Sequence, residues 1–187
     1  MMYGILGEDD SDAQTLKVLV KRLAGDESLT VKAKGYGGSG KLLKDGARAL
    51  RLFKALALTR FIVCHDADGP DPNEKCDLVM EKSVKPSGLA KDCCIVIPVQ
   101  ELEAWILADI ECGSKVFGWW RPAPIQNPEG IPKPKGHIER LCYSNKPRRR
   151  YNHAVDNERM ARHLDLDKVA RKCAEFRKLR AFVPKAS

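Results

Sequence analysis

Apolar residues along the chain fall into two alternating rhythms. Short continuous runs at 3–7, 61–64 and 93–99 read as buried strands, and a wetter alternating run at 29–34 reads as a strand near a sheet edge. Helical spacing follows each strand. Leu16, Leu19, Val20 and Leu23 form one face, and Leu43, Ala47, Leu50 and Phe53 form another in a helix that opens at 35–42 and runs to about residue 58. A short polar helix is predicted from residue 73 to about 84, and a further helix over 104–109. Strand and helix periods that alternate in this way predict an α/β fold with a mostly parallel four-stranded sheet flanked by helices. From Cys112 the texture changes to a loop rich in proline and lysine. Helices are then predicted at 137–142, 154–164 and 166–182, the last with Leu166, Val169, Cys173, Phe176 and Leu179 as its packing stripe. The chain therefore divides into a sheet unit, 1–112, and a basic helical extension, 113–187, packed on it.

The polar residues that end the strands change the picture from architecture to chemistry. The run at 61–64 leads through His65 to Asp66-Ala67-Asp68-Gly69-Pro70. Side chains alternate along a strand, so Asp66 and Asp68 point the same way if the chain stays extended through Ala67. Two carboxylates so placed suit a hard cation such as Mg²⁺. Ligands in open parallel sheets bind outside the carboxyl ends of the strands. Glu8 ends the first strand, and Glu101 and Glu103 follow the last. Three acidic strand ends on one rim predict a metal site. Asp9, Asp10, Ser11 and Asp12 also stand where a helix begins, with Asp10 or Ser11 as the natural cap and Gly25 as the closing glycine.

Gly35-Tyr36-Gly37-Gly38-Ser39-Gly40-Lys41-Leu42 matches a phosphate-cradling GxxxxGK loop, but Leu42 replaces the hydroxyl residue that holds Mg²⁺. The strand before it is amphipathic, where that motif expects a buried one. A weaker role for Lys41, contacting a phosphate at a helix N-terminus, remains.

Charge is unevenly spread. Residues 1–114 carry 15 Lys/Arg against 18 Asp/Glu, a net of −3, and residues 115–187 carry 18 against 7, a net of +11. An acidic half beside a basic half predicts a cation site next to a surface for polyanions. Lys133, Lys135, Arg148, Arg149, Arg150 and Lys172 are the candidate phosphate contacts, and Tyr151, with Trp119 and Trp120, is a candidate for stacking on unpaired bases. For the tryptophans, packing of a loop on the core is the stronger expectation, and for Trp105 it clearly wins. Seven cysteines without a CxxC pair, and a start without the layout of a signal peptide, predict reduced thiols and a cytoplasmic protein. No apolar run approaches the roughly 20 residues of a membrane span.

Taken together, Glu8, Asp66-Ala67-Asp68 and the segment Glu101-Leu102-Glu103-Ala104-Trp105 resemble the TOPRIM superfamily, whose pattern is a Glu after the first strand and an Asp-x-Asp after a later one. Glu8-x-x-x-Asp12 is similar to the signature of the overcoming-lysogenization-defect nucleases, with Asp9 where glycine is usual. The Glu-Ala-Trp helix, and the late segment with Tyr151, Asn152 and His153, resemble small bacterial TOPRIM-like proteins of the RloB type. The resemblance covers most of the chain and implies a Rossmann-like TOPRIM fold. It also implies a metal-dependent nuclease acting on DNA or RNA with Mg²⁺ or Mn²⁺. Glu8, Asp66 and Asp68 would be its catalytic residues, and Asp12 and Glu103 (or Glu101) would complete the metal ligands. Two further classes stay open. One is a non-catalytic module that holds nucleic acid or works with a separate ATPase. The other is a receiver-like phosphoacceptor, although its lysine after the last strand is absent.

Overall fold

The computed structural model describes residues 1–145 and 150–185. Strands β1 (Met2–Gly7), β2 (Thr30–Gly35), β3 (Arg60–Cys64) and β4 (Cys93–Val96) form one sheet in the order β2-β1-β3-β4, every pair parallel. Helix α1 (Asp10–Ala24) joins β1 to β2, and α2 (Ser39–Ala55) carries the chain back past β1 to β3. The sequence of strands reverses direction at β1. The crevice between the ends of β1 and β3 is therefore the switch point at which open α/β sheets bind ligands. After β3 come α3 (Asn73–Val79), a π-helical turn (Met80–Val84) and α4 (Lys85–Ser87); after β4 come α5 (Glu103–Ala108) and α6 (Gly113–Val116).

Strand alternation divides the core in two. Tyr3, Ile5, Ile62, Cys64, Cys94 and Val96 face α1 and α5, whereas Leu6, Phe61, Val63 and Ile95 face α2 and the helices that follow β3. The runs are continuously apolar because both faces are covered. β2 is the edge strand beside β1 and alternates exposed with buried or half-buried residues, as its sequence predicts.

The extension forms α7 (Pro134–Asn145), α8 (His153–Ala161), α9 (Leu166–Lys172) and α10 (Ala174–Phe182). Its side chains belong to the same core as β1 and α1. Phe176 packs edge-on against Trp105 with ring centroids 5.1 Å apart, and Phe182 meets Tyr3 at 6.4 Å. The predicted single helix over 166–182 is broken at Cys173, whose backbone is extended (φ −124°, ψ 117°). The break turns α10 toward the edge strand β4, where Glu175 accepts the backbone N–H of Ile97 at 3.0 Å. The first helix starts one residue earlier than its sequence suggests. Asp9 is the N-cap and accepts Asp12 N–H at 2.9 Å, while the Asp12 carboxylate accepts Asp9 N–H at 3.3 Å. Gly25 closes that helix at φ 70°.

Gly35 lets the end of β2 touch the start of α1. A Cβ there would lie 2.2 Å from the Asp10 nitrogen, and the Gly35 N–H is held by the Asp10 carboxylate at 3.1 Å. Gly35→Ala is therefore expected to cost about 1–3 kcal/mol in urea unfolding through forced separation of β2 from α1. A variant as stable as the wild type would show that this contact is soft.

Candidate active site

Four carboxylates meet at the switch point. Glu8 follows β1, Asp66 follows β3, Asp12 lies in the first turn of α1 and Glu103 opens α5. Each is fixed by a neighbouring element. Glu8 Oε1 accepts the Asp66 backbone N–H at 2.8 Å and stands 2.9 Å from His65 Nδ1. Asp66 Oδ1 accepts the Leu102 N–H at 2.9 Å, which ties the end of β3 to the start of α5. Glu103 is 2% exposed and accepts from the Asn157 amide at 3.1 Å. Asp12 is buried and held by the cap it shares with Asp9.

Burial and mutual repulsion set their proton affinities. Burial, followed by the charges of Asp9 and Glu103, pushes Asp12 up to about 8. Burial, followed by Asp12, Glu103 and Glu8, raises Asp66 well above the usual carboxylate range. Glu103 is raised chiefly by burial, with Lys135 and Asn157 pulling the other way. Glu8 differs: burial opposes its charge, but the His65 hydrogen bond and charge outweigh that and hold it low.

The basic extension enters this site directly. Lys135, at the start of α7, places Nζ 3.9 Å from Glu103 Oε1, and its backbone N–H is accepted by Glu101 at 2.8 Å. Glu101 thus anchors α7. Asn157 of α8 is fully buried and donates to both Glu103 and Ser11 Oγ, while Tyr151 O–H donates to Asn157. Ser11 in turn donates to the His153 carbonyl at 2.9 Å. The chain of bonds holds the starts of α1, α5 and α8 together around the carboxylates. Lys135, Asn157 and His65 are the site residues that sequence reasoning missed or assigned elsewhere.

Several expectations need correction. Pairing beside β4 does persist through Ala67, whose N–H bonds to the Pro98 carbonyl at 3.0 Å, but Asp68 then turns into the left-handed region at φ 53°. Its exposed carboxylate faces Lys75 Nζ at 3.5 Å. Asp68 therefore stands outside the cluster. Tyr151 is 4% exposed, so its ring has no face to offer a base, and Trp120 is fully buried against Gly113. Lys172 is a staple, donating to the Ala108 carbonyl at 3.0 Å and the Ile125 carbonyl at 2.5 Å. The glycine loop is not a phosphate cradle, because Tyr36 N–H and Gly38 N–H are both spent on the Glu8 carbonyl. Lys41, Lys133 and Arg150 are exposed, and Arg148 and Arg149 lie outside the described residues.

Residues 8–183 match the family model described as a domain of unknown function, DUF4276. The chain belongs to the DUF4276 family. No curated protein and no solved structure matches it. Among the described residues, no helix of this DUF4276 chain is long and apolar enough to cross a membrane.

Whether a divalent cation fits is decided by the oxygens. Among the described residues no group of three or more His, Cys, Asp or Glu side chains is placed to hold a metal ion. Glu8, Asp12 and Asp66 instead tie down one carboxylate oxygen each, at Oε1, Oδ2 and Oδ1, and no hydrogen bond from a described residue engages the other. Anchored carboxylates with one oxygen to give suit Mg²⁺, which takes one or two carboxylates and keeps several waters.

A pH dependence follows from Asp12. Without divalent metal the native state keeps its proton up to about pH 8, whereas the unfolded state loses it near the ordinary value of 3.8. Stability then falls as pH rises through that window, because the unfolded state binds fewer protons. Asp12→Asn removes this loss. In urea unfolding with chelator, the variant is expected to match the wild type near pH 4 and to exceed it by at least about 1 kcal/mol at pH 8. A difference independent of pH would contradict this.

Proposed function

We propose that this chain is a metal-dependent nuclease that hydrolyses phosphodiesters of DNA or RNA. The observation that carries the reading is the set of four anchored carboxylates gathered at the sheet's switch point, with two of them held far above their usual proton affinity by burial and one another. The order of Glu8, Asp66 and the Glu-Ala-Trp segment, which resembles the TOPRIM pattern, supports it.

Glu8 and Asp66 are the residues to hold a first Mg²⁺ or Mn²⁺, and Asp12 and Glu103 lie beside them for a second. Bound there, the metal supplies activation of the attacking water and stabilisation of the charge on the leaving oxygen. Lys135, raised in proton affinity because Glu103, Glu101, Asp9 and Asp12 outweigh its burial, stays charged at the rim. It offers the only described cation within 4 Å of the four carboxylates apart from His65, and its role is to meet a phosphate entering beside Glu103. Lys41, Lys133 and Arg150 extend that attraction outward as salt-dependent contacts without sequence preference. Asp68 is not needed as a ligand in this scheme. A partner ATPase belongs to the alternative of a non-catalytic module.

The test is cleavage of single- and double-stranded DNA and RNA with Mg²⁺ or Mn²⁺. Asp66→Asn is expected to lower the rate about 10²-fold or more, and Asp68→Asn to leave it within a few-fold. Cleavage indifferent to Asp66→Asn, or absent on every substrate while binding persists, would favour the module.

A further inference from the structure

His65 is a buried titratable side chain at the site that no step above uses. It is 1% exposed, and its backbone is fixed by an N–H bond to the Val96 carbonyl at 3.2 Å. Its Nδ1 lies 2.7 Å from the Asp66 carbonyl oxygen and 2.9 Å from Glu8 Oε1. A carbonyl oxygen has no proton to give, so Nδ1 carries the hydrogen and presents it to both acceptors. The other nitrogen, Nε2, is buried without a hydrogen-bond partner among the described residues.

This is a poor arrangement for a residue whose task is packing. An unpartnered buried polar atom costs stability that a leucine at the same place would not lose. All the polar engagement of the ring is directed at Glu8 and the adjoining carbonyl. Glu8 Oε1 therefore receives two donors from consecutive residues, the His65 ring and the Asp66 N–H, while Oε2 receives none from a described residue.

We propose that His65 is a positioning residue that clamps Glu8, saturating Oε1 so that the carboxylate presents Oε2 alone, as a one-oxygen ligand for a divalent cation. The clamp stands on the geometry, and the identity of what Oε2 meets rests on the metal-dependent reading above. Partners of this kind, bonded to a metal ligand and not to the metal, set ligand orientation and affinity.

Two measurements on the folded full chain separate these levels. The first uses no metal: in imidazole ¹⁵N–¹H spectra, the His65 Nδ1 proton should be protected from exchange and should shift when Glu8 is changed to Ala. A proton that ignores Glu8→Ala overturns the clamp. The second is titration with Mn²⁺. His65→Asn keeps a donor near the Nδ1 position, whereas His65→Gln moves it toward Nε2, where nothing accepts it. His65→Asn should bind Mn²⁺ within about 3-fold of wild type, and His65→Gln and His65→Leu should bind about 10-fold or more weakly. His65→Leu should nevertheless unfold at a temperature no lower than wild type. Equal affinities for the Asn and Gln variants overturn the positioning role. A wild type that takes up no Mn²⁺ while the proton still responds to Glu8 removes the metal reading and upholds the clamp.

Discussion

Like charges gathered where water is scarce repel one another unless protons, cations or hydrogen-bond donors intervene. The carboxyl edge of this sheet is built under that constraint. Glu8, Asp12, Asp66 and Glu103 arrive there from four elements, and all three remedies are visible around them. Burial and mutual repulsion raise the proton affinity of Asp12 and Asp66, Lys135 leans on Glu103, and N–H groups of Asp9, Asp66 and Leu102 each grip one carboxylate oxygen.

The same constraint explains why the basic extension is part of the fold. Sheet, α1 and α5 bring the negative charges together, but Asn157 and Lys135, from α8 and α7, complete their surroundings. Asn157 reaches Glu103 and Ser11 from a fully buried position, with Tyr151 bonded behind it, so the extension's helices are locked to the site by polar bonds as well as by the core around Trp105 and Phe176. Without the Asn157 amide, the buried Glu103 carboxylate would lose its hydrogen-bond donor, a costly state for a charged group.

Much of the architecture was legible from local pattern. Continuous apolar runs signalled strands covered on both faces, alternation in 29–34 signalled the edge, and acidic strand ends marked the rim where Glu8, Asp66 and Glu103 meet. What escaped depends on contacts distant in the chain or on a single backbone angle. Asp68 looked like the twin of Asp66 because strand alternation was extended one residue too far; the left-handed turn at Asp68 turns it out toward Lys75. Lys135 read as one basic residue among many, and Asn157 drew no reading at all, because their partner Glu103 lies 32 and 54 residues away. Tyr151 read as a stacking platform because burial in a loop leaves no periodic trace. His65, a lone histidine after a strand, reads from sequence more often as structural than as a proton-transfer group, and only the fold sets Glu8 beside it.

The most direct test of a metal centre at this switch point is anomalous scattering from crystals of the full chain soaked in Mn²⁺. The account predicts a peak within coordination distance of the Glu8 and Asp66 carboxylates, on the oxygens opposite those held by His65 and Leu102. Peaks confined to other carboxylates, with Glu8 and Asp66 unmoved and metal-free, would contradict it.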